Sequence, residues 1–459
     1  MKLHLKFALV VYCTAILSLL SSGAATVQVQ VGAGGLKFTP QNVTIQVGDT
    51  VEWVWAKNGH SSTSGTPGNP DGMWDSGIQN KGFVFSHTFS AGGTFSYYCS
   101  PHGSCCGMIG SVMVTVPPAG AIFVNANAIS NEVWMYNRDA GGQLSLAGTF
   151  STQGGGSTGG GGLASQGSIA LGMNNTFLYA VNAGTNEITA FQVTPAGLTF
   201  VGKVPSGGIF PNSLAVSGDL LYVLNSKGTA ANISGFRIQG NGSLVAIANS
   251  TRLLNAALPA PSQIGFTPDS TMLIVPEKNT SIFDTYAVGL DGVATGPTVQ
   301  ASSGHGPFGF AFDNAGHLVV SEITLSSASS YTVSGGLLHV VSAKKKDMGK
   351  GACWIANTKD PALPQQYSYI SNTGSATLSG FAIASNGAIS LLKVDGKSAV
   401  LPPGAFPIDL VISSDNKYLY VLAKKLPGIT GFQIQSDGSL VQIQDLRGTP
   451  LTSYGMTGY

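Results

Sequence analysis

Charge is what this sequence has least of. Lys and Arg number 22 and Asp and Glu 21, together 9% of 459 residues, and the formal net charge is +1. No basic face invites nucleic acid, and no acidic tail points to a charge-driven partner. Histidine and cysteine are also scarce, at seven and five residues, and no His-x-His pair occurs. After the first 25 residues no apolar run is long enough to span a membrane.

Glycine, by contrast, is abundant at 62 residues. Short runs of Val, Ile, Phe and Tyr alternate with Gly, Asn and Ser turns, a pattern that predicts an all-β chain. Residues 1–25 read as a signal peptide: Lys2, His4 and Lys6 form a basic start, Phe7 to Leu20 an apolar core, and Ser21 to Ala25 a small-residue exit. Cys13 leaves with that segment. About 430 residues remain, enough for two or three domains.

The scarce ligand-type residues gather in one stretch, Tyr97-Tyr98-Cys99-Ser100-Pro101-His102-Gly103-Ser104-Cys105-Cys106-Gly107-Met108. A thiolate, an imidazole and a thioether are soft and borderline donors that copper accepts in both of its oxidation states. An upstream histidine should complete the set, and His60 follows the strand-like run Thr50-Val51-Glu52-Trp53-Val54-Trp55 and its Ala56-Lys57-Asn58-Gly59 turn. The same donors suit a tetrahedral zinc site. An ordinary buried cysteine with incidental histidines is the remaining reading.

The flanking segments carry a family resemblance. Phe38-Thr39-Pro40, the run Val43 to Trp53, Phe85-Ser86-His87-Thr88-Phe89 and Gly93-Thr94-Phe95-Ser96-Tyr97-Tyr98-Cys99 make residues from Val27 to Val116 resemble the small blue-copper proteins of the plastocyanin, amicyanin and pseudoazurin type, the cupredoxins. The resemblance implies one type 1 copper, with His60, Cys99 and His102 as trigonal ligands and Met108 as the weak axial one. It leaves His87 a structural residue. Five residues separate His102 from Met108, where plastocyanin-like loops usually carry four or fewer. With Cys99 on the metal, Cys105, Cys106 and Cys353 cannot all pair within the chain. A neighbour disulfide between Cys105 and Cys106 and free thiols near the metal both stay open, and Cys353, beside Trp354, reads as a packed core thiol.

Beyond Pro117-Pro118-Ala119-Gly120, a natural linker, the signal is repetition. A short apolar strand recurs about every 45 residues, in Ala121–Asn125, Leu178–Asn182, Leu221–Asn225, Met272–Pro276, Leu318–Glu322, Tyr369–Asn372 and Leu419–Leu422. A second strand follows it, as in Ile188–Val193 and Ile429–Ile434, then a Gly-containing hairpin and a third strand. A fourth precedes it, as in Pro211–Val216 and Pro407–Ile412. Seven copies of four strands predict a seven-bladed β-propeller. The blade pattern resembles the lactonase-type propellers, the group of bacterial 6-phosphogluconolactonase and the fungal carboxymuconate-cyclising enzymes. Its candidate polar residues are His305, Glu322, Arg237, Glu277 and Asp269, and isolated polar groups at blade edges usually cap turns.

The expected protein is therefore all-β: residues 1–25 a signal peptide, 26–116 a cupredoxin Greek-key β-sandwich, 117–120 a linker, and 121–459 a seven-bladed lactonase-like propeller. It is exported, secreted or periplasmic, and binds one copper at His60, Cys99, His102 and Met108. It exchanges single electrons with a redox protein or a small-molecule donor or acceptor, with the propeller as a docking or substrate-binding platform. No nucleic acid and no integral membrane segment enter this reading, and no catalytic residue is assigned. A rival makes the propeller a lactone-hydrolysing or cyclising enzyme with an accessory copper domain. A third reading has the site store or capture copper without redox work.

Overall fold

The computed structural model describes residues 24–157, 162–228, 231–363 and 365–459. The expected signal peptide, with Cys13, therefore lies almost wholly outside the described residues. The chain divides into two compact units between Pro117 and Pro118. The second begins its first strand at Gly120, inside the segment read as a linker.

The first unit contains β1 (Thr26–Val31), β2 (Phe38–Thr39), β3 (Asn42–Gln46), β4 (Thr50–Trp55), β5 (Thr63–Thr66), β6 (Asn69–Asp75), β7 (Val84–Thr88), β8 (Gly93–Tyr98), the one-turn helix α1 (Gly103–Cys106) and β9 (Ile109–Thr115). One sheet has the order β2-β1-β4-β7, the other β3-β9-β8-β5-β6. β1 runs parallel to β4 and β3 to β9, and the other pairs are antiparallel. Period-2 alternation decides which face is covered: β4 buries Val51, Trp53 and Trp55, and β9 buries Val112 and Val114. Trp53 sits at the centre, its ring 5.4 Å from Trp74 and 5.3 Å from Tyr97. His87, on β7, stacks 5.0 Å from Trp74 and 4.9 Å from Phe89, as a packing residue.

The second unit is a ring of seven antiparallel sheets, each built on a path of four strands. The leading strands Ile169–Gly172, Ile209–Ser217, Gly265–Phe266, Pro307–Phe312, Ala352–Asn357 and Pro407–Ile412 form the inner edges of six blades. In the remaining blade, the first in the chain, the inner strand is Met456–Gly458 from the far end, paired with Ile122 to Val124 of Gly120–Asn125. The sequence pattern predicts an inner strand just before each repeat. Here topology supplies it from the last repeat and closes the ring, which removes an open edge.

Adjacent blades are tied by a repeated bond. The hydroxyls of Tyr179, Tyr222, Tyr369 and Tyr420 donate to the carbonyls of Gly242, Gly292, Gly438 and Gly142, each in the next blade. The accepting residues turn their hairpins at φ of 78° to 82°, where glycine meets no Cβ penalty. The last of the four joins the seventh repeat to the first across the closure. Among the described residues no helix is long and apolar enough to cross a membrane.

Burial also isolates acids inside the ring. Glu277 and Asp284 are fully buried, and Asp284 Oδ1 has no hydrogen-bond partner. Desolvation, aided by the Glu277 charge and opposed by the Asn255 N–H at 2.7 Å, raises the Asp284 carboxyl well above the ordinary range. Asp409, also buried, is pushed up to about 7 by desolvation. A folded-state value above the unfolded one means that protonation favours the fold. The stabilisation is complete below about pH 4 and is lost as pH rises toward neutrality. The propeller should accordingly melt at a lower temperature at pH 8 than at pH 5. Asp284→Asn, whose amide can donate to Glu277, should raise the pH 8 melting temperature by about 3 °C and leave the pH 5 value unchanged. Calorimetry at both pH values showing the same gap in the variant would contradict this account.

Candidate metal centre

Three ligand-type side chains converge at one end of the sandwich. The donor atoms of His60, Cys99 and His102 lie within 4.8 Å of one another. Cys99 Sγ is 3.6 Å from His60 Nδ1 and 3.3 Å from His102 Nδ1, so both rings face the sulfur with the same nitrogen. Bonds of about 2.3 Å to sulfur and about 2.0 Å to nitrogen place the donors of one ion roughly 3.5 Å apart. The cluster therefore fits a single first-row ion. His60 and Cys99 are buried, whereas His102 is partly exposed.

Each donor is held by backbone structure. His60 lies beyond the end of β4, where its carbonyl accepts the Trp55 indole N–H at 2.8 Å and pairs with the Gln79 backbone. Gly32, at φ +77°, passes directly over it: a Cβ there would stand 2.8 Å from the ring. Cys99 follows β8 and Met108 precedes β9, and the Cys99 N–H donates to the Met108 carbonyl at 3.0 Å. That bond closes the loop at its foot and leaves Met108 fully buried. The extra length between His102 and Met108 winds into α1, where the Cys106 and Met108 N–H groups both donate to the His102 carbonyl at 3.2 Å. Cys105 and Cys106 are joined as a disulfide, and Cys99 and Cys353 are free and buried.

The electrostatics explain why such a site wants a cation. Desolvation raises the Cys99 thiol, and the Ser61 N–H donating to Sγ at 3.4 Å offsets only part of this. Desolvation first, then the charges of His102 and Lys57, lowers His60. Without an ion both groups are driven toward neutrality. A bound cation reverses this for the thiol, which then serves as thiolate. Soft sulfur beside imidazole matches copper by donor chemistry.

The propeller candidates do not converge. Arg237 is paired with Asp219 at 2.8 Å, Asp269 holds the Thr267 and Thr271 turn, and His305 is solvent-exposed. Glu277 and Glu322 close Met272–Glu277 and Leu318–Glu322, the strands next to the inner ones of neighbouring blades; Asn125, Asn182 and Asn372 close the matching strands of three others, and Asn225 lies near the end of a fourth. Asn372 bonds within its own blade to Ser379, and Glu322 to Ser327 and Ser329, whereas Asn182 bonds both to Thr189 of its own blade and to Asn131 and Thr152 of the neighbouring one, and Asn125 donates across to Val181. They hold the blades together. A cavity of about 470 Å³ lies at the far ends of the inner strands, with Lys359 and Asp409 as its ionisable groups. No propeller candidate read from the sequence lines it. Lys359 and Asp409 carry no motif, so nothing in the sequence distinguishes them.

Comparison with known proteins follows the same division. Residues 25–115 match the family of copper binding proteins, plastocyanin/azurin family, and residues 114–258 match lactonase, 7-bladed beta-propeller. Halocyanin of Natronomonas pharaonis is 34% identical over 96 residues, which are 20% of this chain and 58% of that protein's length. Plastocyanin of Prochlorothrix hollandica is 32% identical over 124 residues, covering 24% of this chain and 88% of that one. A putative 6-phosphogluconolactonase from Bacteroides uniformis superposes with a TM-score of 0.60 over 75% of this chain and 100% of its own, at 16% identity, a likeness of fold.

Because Gly32 leaves room for His60 only by lacking a side chain, Gly32→Ala should weaken metal binding by about tenfold. Chelator competition measures this, and circular dichroism should show the sheets unchanged. Equal affinity in the variant would show that the His60 ring is not held from above.

Proposed function

Because the chain belongs, through its N-terminal domain, to the plastocyanin/azurin family of copper-binding proteins, we propose that it is an exported electron carrier with a single type 1 copper. His60, Cys99 and His102 would hold the metal, with Met108 as a fourth and weaker ligand. The basic and apolar start of the chain directs it to a secreted or periplasmic location. The propeller serves as a docking or substrate-binding platform, and the redox partner is a protein or a small molecule.

The observation that carries this reading is the graded exposure of the donors. Copper, when bound, supplies a one-electron couple between Cu(I) and Cu(II) with little change of geometry. His60 and Cys99 exclude water from one side of the site, and the Ser61 N–H tunes the sulfur. His102 alone among the three is partly open to solvent, so its ring is the natural path for an electron to a docked partner. Two imidazoles and one thiolate from a rigid hairpin and an anchored loop leave little to reorganise.

Loading the purified protein with Cu(II) should give an intense thiolate-to-copper visible band and narrow copper hyperfine splitting by EPR, and Cys99→Ser should abolish both. A colourless protein that takes zinc as readily would overturn the electron-transfer reading.

The match of residues 114–258 to the lactonase family supports a second reading, in which the propeller hydrolyses or cyclises a lactone and the copper domain is accessory. Turnover of a lactone panel by metal-free protein would favour it, and no turnover with or without copper would exclude it for that panel.

A further inference from the structure

The turn between His102 and Met108 contains a feature that metal binding by itself does not require. Cys105 and Cys106 are adjacent in sequence, and their disulfide closes a small ring around the peptide bond between them. The N–H of that peptide is the one Cys106 donates to the His102 carbonyl at 3.2 Å. The same carbonyl accepts the Met108 N–H at 3.2 Å, and Gly107 donates to the Gly103 carbonyl at 3.2 Å. The ring thus fixes the one-turn helix from which both ends of the ligand loop hang. Four residues without such a constraint make a poor helix, since nucleation fixes several dihedrals for very few hydrogen bonds. Both cysteines are exposed, whereas Cys99 and Cys353 are buried. A soluble thiol reaches this disulfide and not the metal-site sulfur.

We propose that the Cys105–Cys106 disulfide is a redox-sensitive positioning device for the metal centre: closed, it holds His102 and Met108 in place; opened by a dithiol, it relaxes the turn and loosens the hold on the metal. The chemistry balances by thiol–disulfide exchange. A thiolate of the dithiol attacks one sulfur, the Cys105–Cys106 bond breaks, and a mixed disulfide forms. The second thiol then displaces the protein, leaving the reagent as a disulfide and the protein with two thiols. Two electrons and two protons have passed to Cys105 and Cys106. Linkage makes the effect reciprocal: whatever factor the closed ring adds to metal affinity, bound metal adds to the disulfide's resistance to reduction. The inference rests on reading His60, Cys99, His102 and Met108 as the metal ligands.

The test uses the full-length protein and Zn(II), which does not oxidise thiols. Affinity is read by competition with a chromophoric chelator for three forms: disulfide-intact, reduced and desalted, and Cys105→Ser/Cys106→Ser. The expected result is that the Ser/Ser variant binds Zn(II) at least fivefold more weakly than the intact protein, and that reoxidation restores the reduced wild type. In a dithiothreitol titration at buffered free zinc, with alkylation of Cys105 and Cys106 read by peptide mass, the equilibrium constant for reduction should fall by the same factor when metal is bound. A reduction equilibrium that ignores zinc, with affinities equal within twofold, would overturn the proposal and leave the disulfide a clasp. Should the Ser/Ser variant lose its fold by circular dichroism, the reduced and reoxidised wild type decides. Absence of binding in the intact protein would instead overturn the metal-centre reading, and this inference with it.

Discussion

The hydrogen bond from the Cys99 amide to the Met108 carbonyl is the constraint on which the metal-binding end of the sandwich depends. It makes the end of β8 and the start of β9 a closed hairpin mouth, so a loop carrying the thiol, an imidazole and a thioether is tethered at both ends. His60 arrives from elsewhere in the chain, and its position is fixed by Trp55, Gln79 and the bare backbone of Gly32. Burial favours the neutral forms of Cys99 and His60, and a bound cation would make the buried thiolate tolerable.

The propeller solves a different problem, that of seven sheets which must each cover their neighbours' faces. Its buried polar groups are largely spent on this. Asn372 and Glu322 bond within their blades, Asn125 and Asn182 also bond to the neighbouring blade, and tyrosine hydroxyls reach across to the next hairpin. Burial raises the carboxyl of a buried acid such as Asp284 or Asp409, which favours its protonated form. The division of labour follows: a compact sandwich with one concentrated chemical signal, and a large ring whose polar residues serve mainly its own architecture.

That difference also decided what the sequence revealed. The convergence of His60, Cys99 and His102 was legible because rare residue types occur close to recognisable strands. The blades were legible because alternation and turn glycines recur seven times, and the structure places Leu221–Asn225 and Ile429–Ile434 within strands as expected. Three residues, Met456–Gly458, are too short to show any period, and their role depends on a partner more than 300 positions away. The helix at Gly103–Cys106 was equally hidden, because glycine, serine and cysteine favour no helix. Lys359 and Asp409 line a cavity that several separate inner strands enclose together. Single residues of common type carry no spacing to read.

The pairing of Met456–Gly458 with Gly120–Asn125 also sets an order in time. The strands of the sandwich are all present once residue 115 has left the ribosome. The first blade, synthesised directly afterwards, must wait for the last few residues before its inner edge is covered, and until then Ala121 to Asn125, paired on one side with Val133 to Asn137, offers one open edge. The chain can thus carry a finished metal domain ahead of an unfinished ring, and the interval before closure is when it is most exposed to wrong partners.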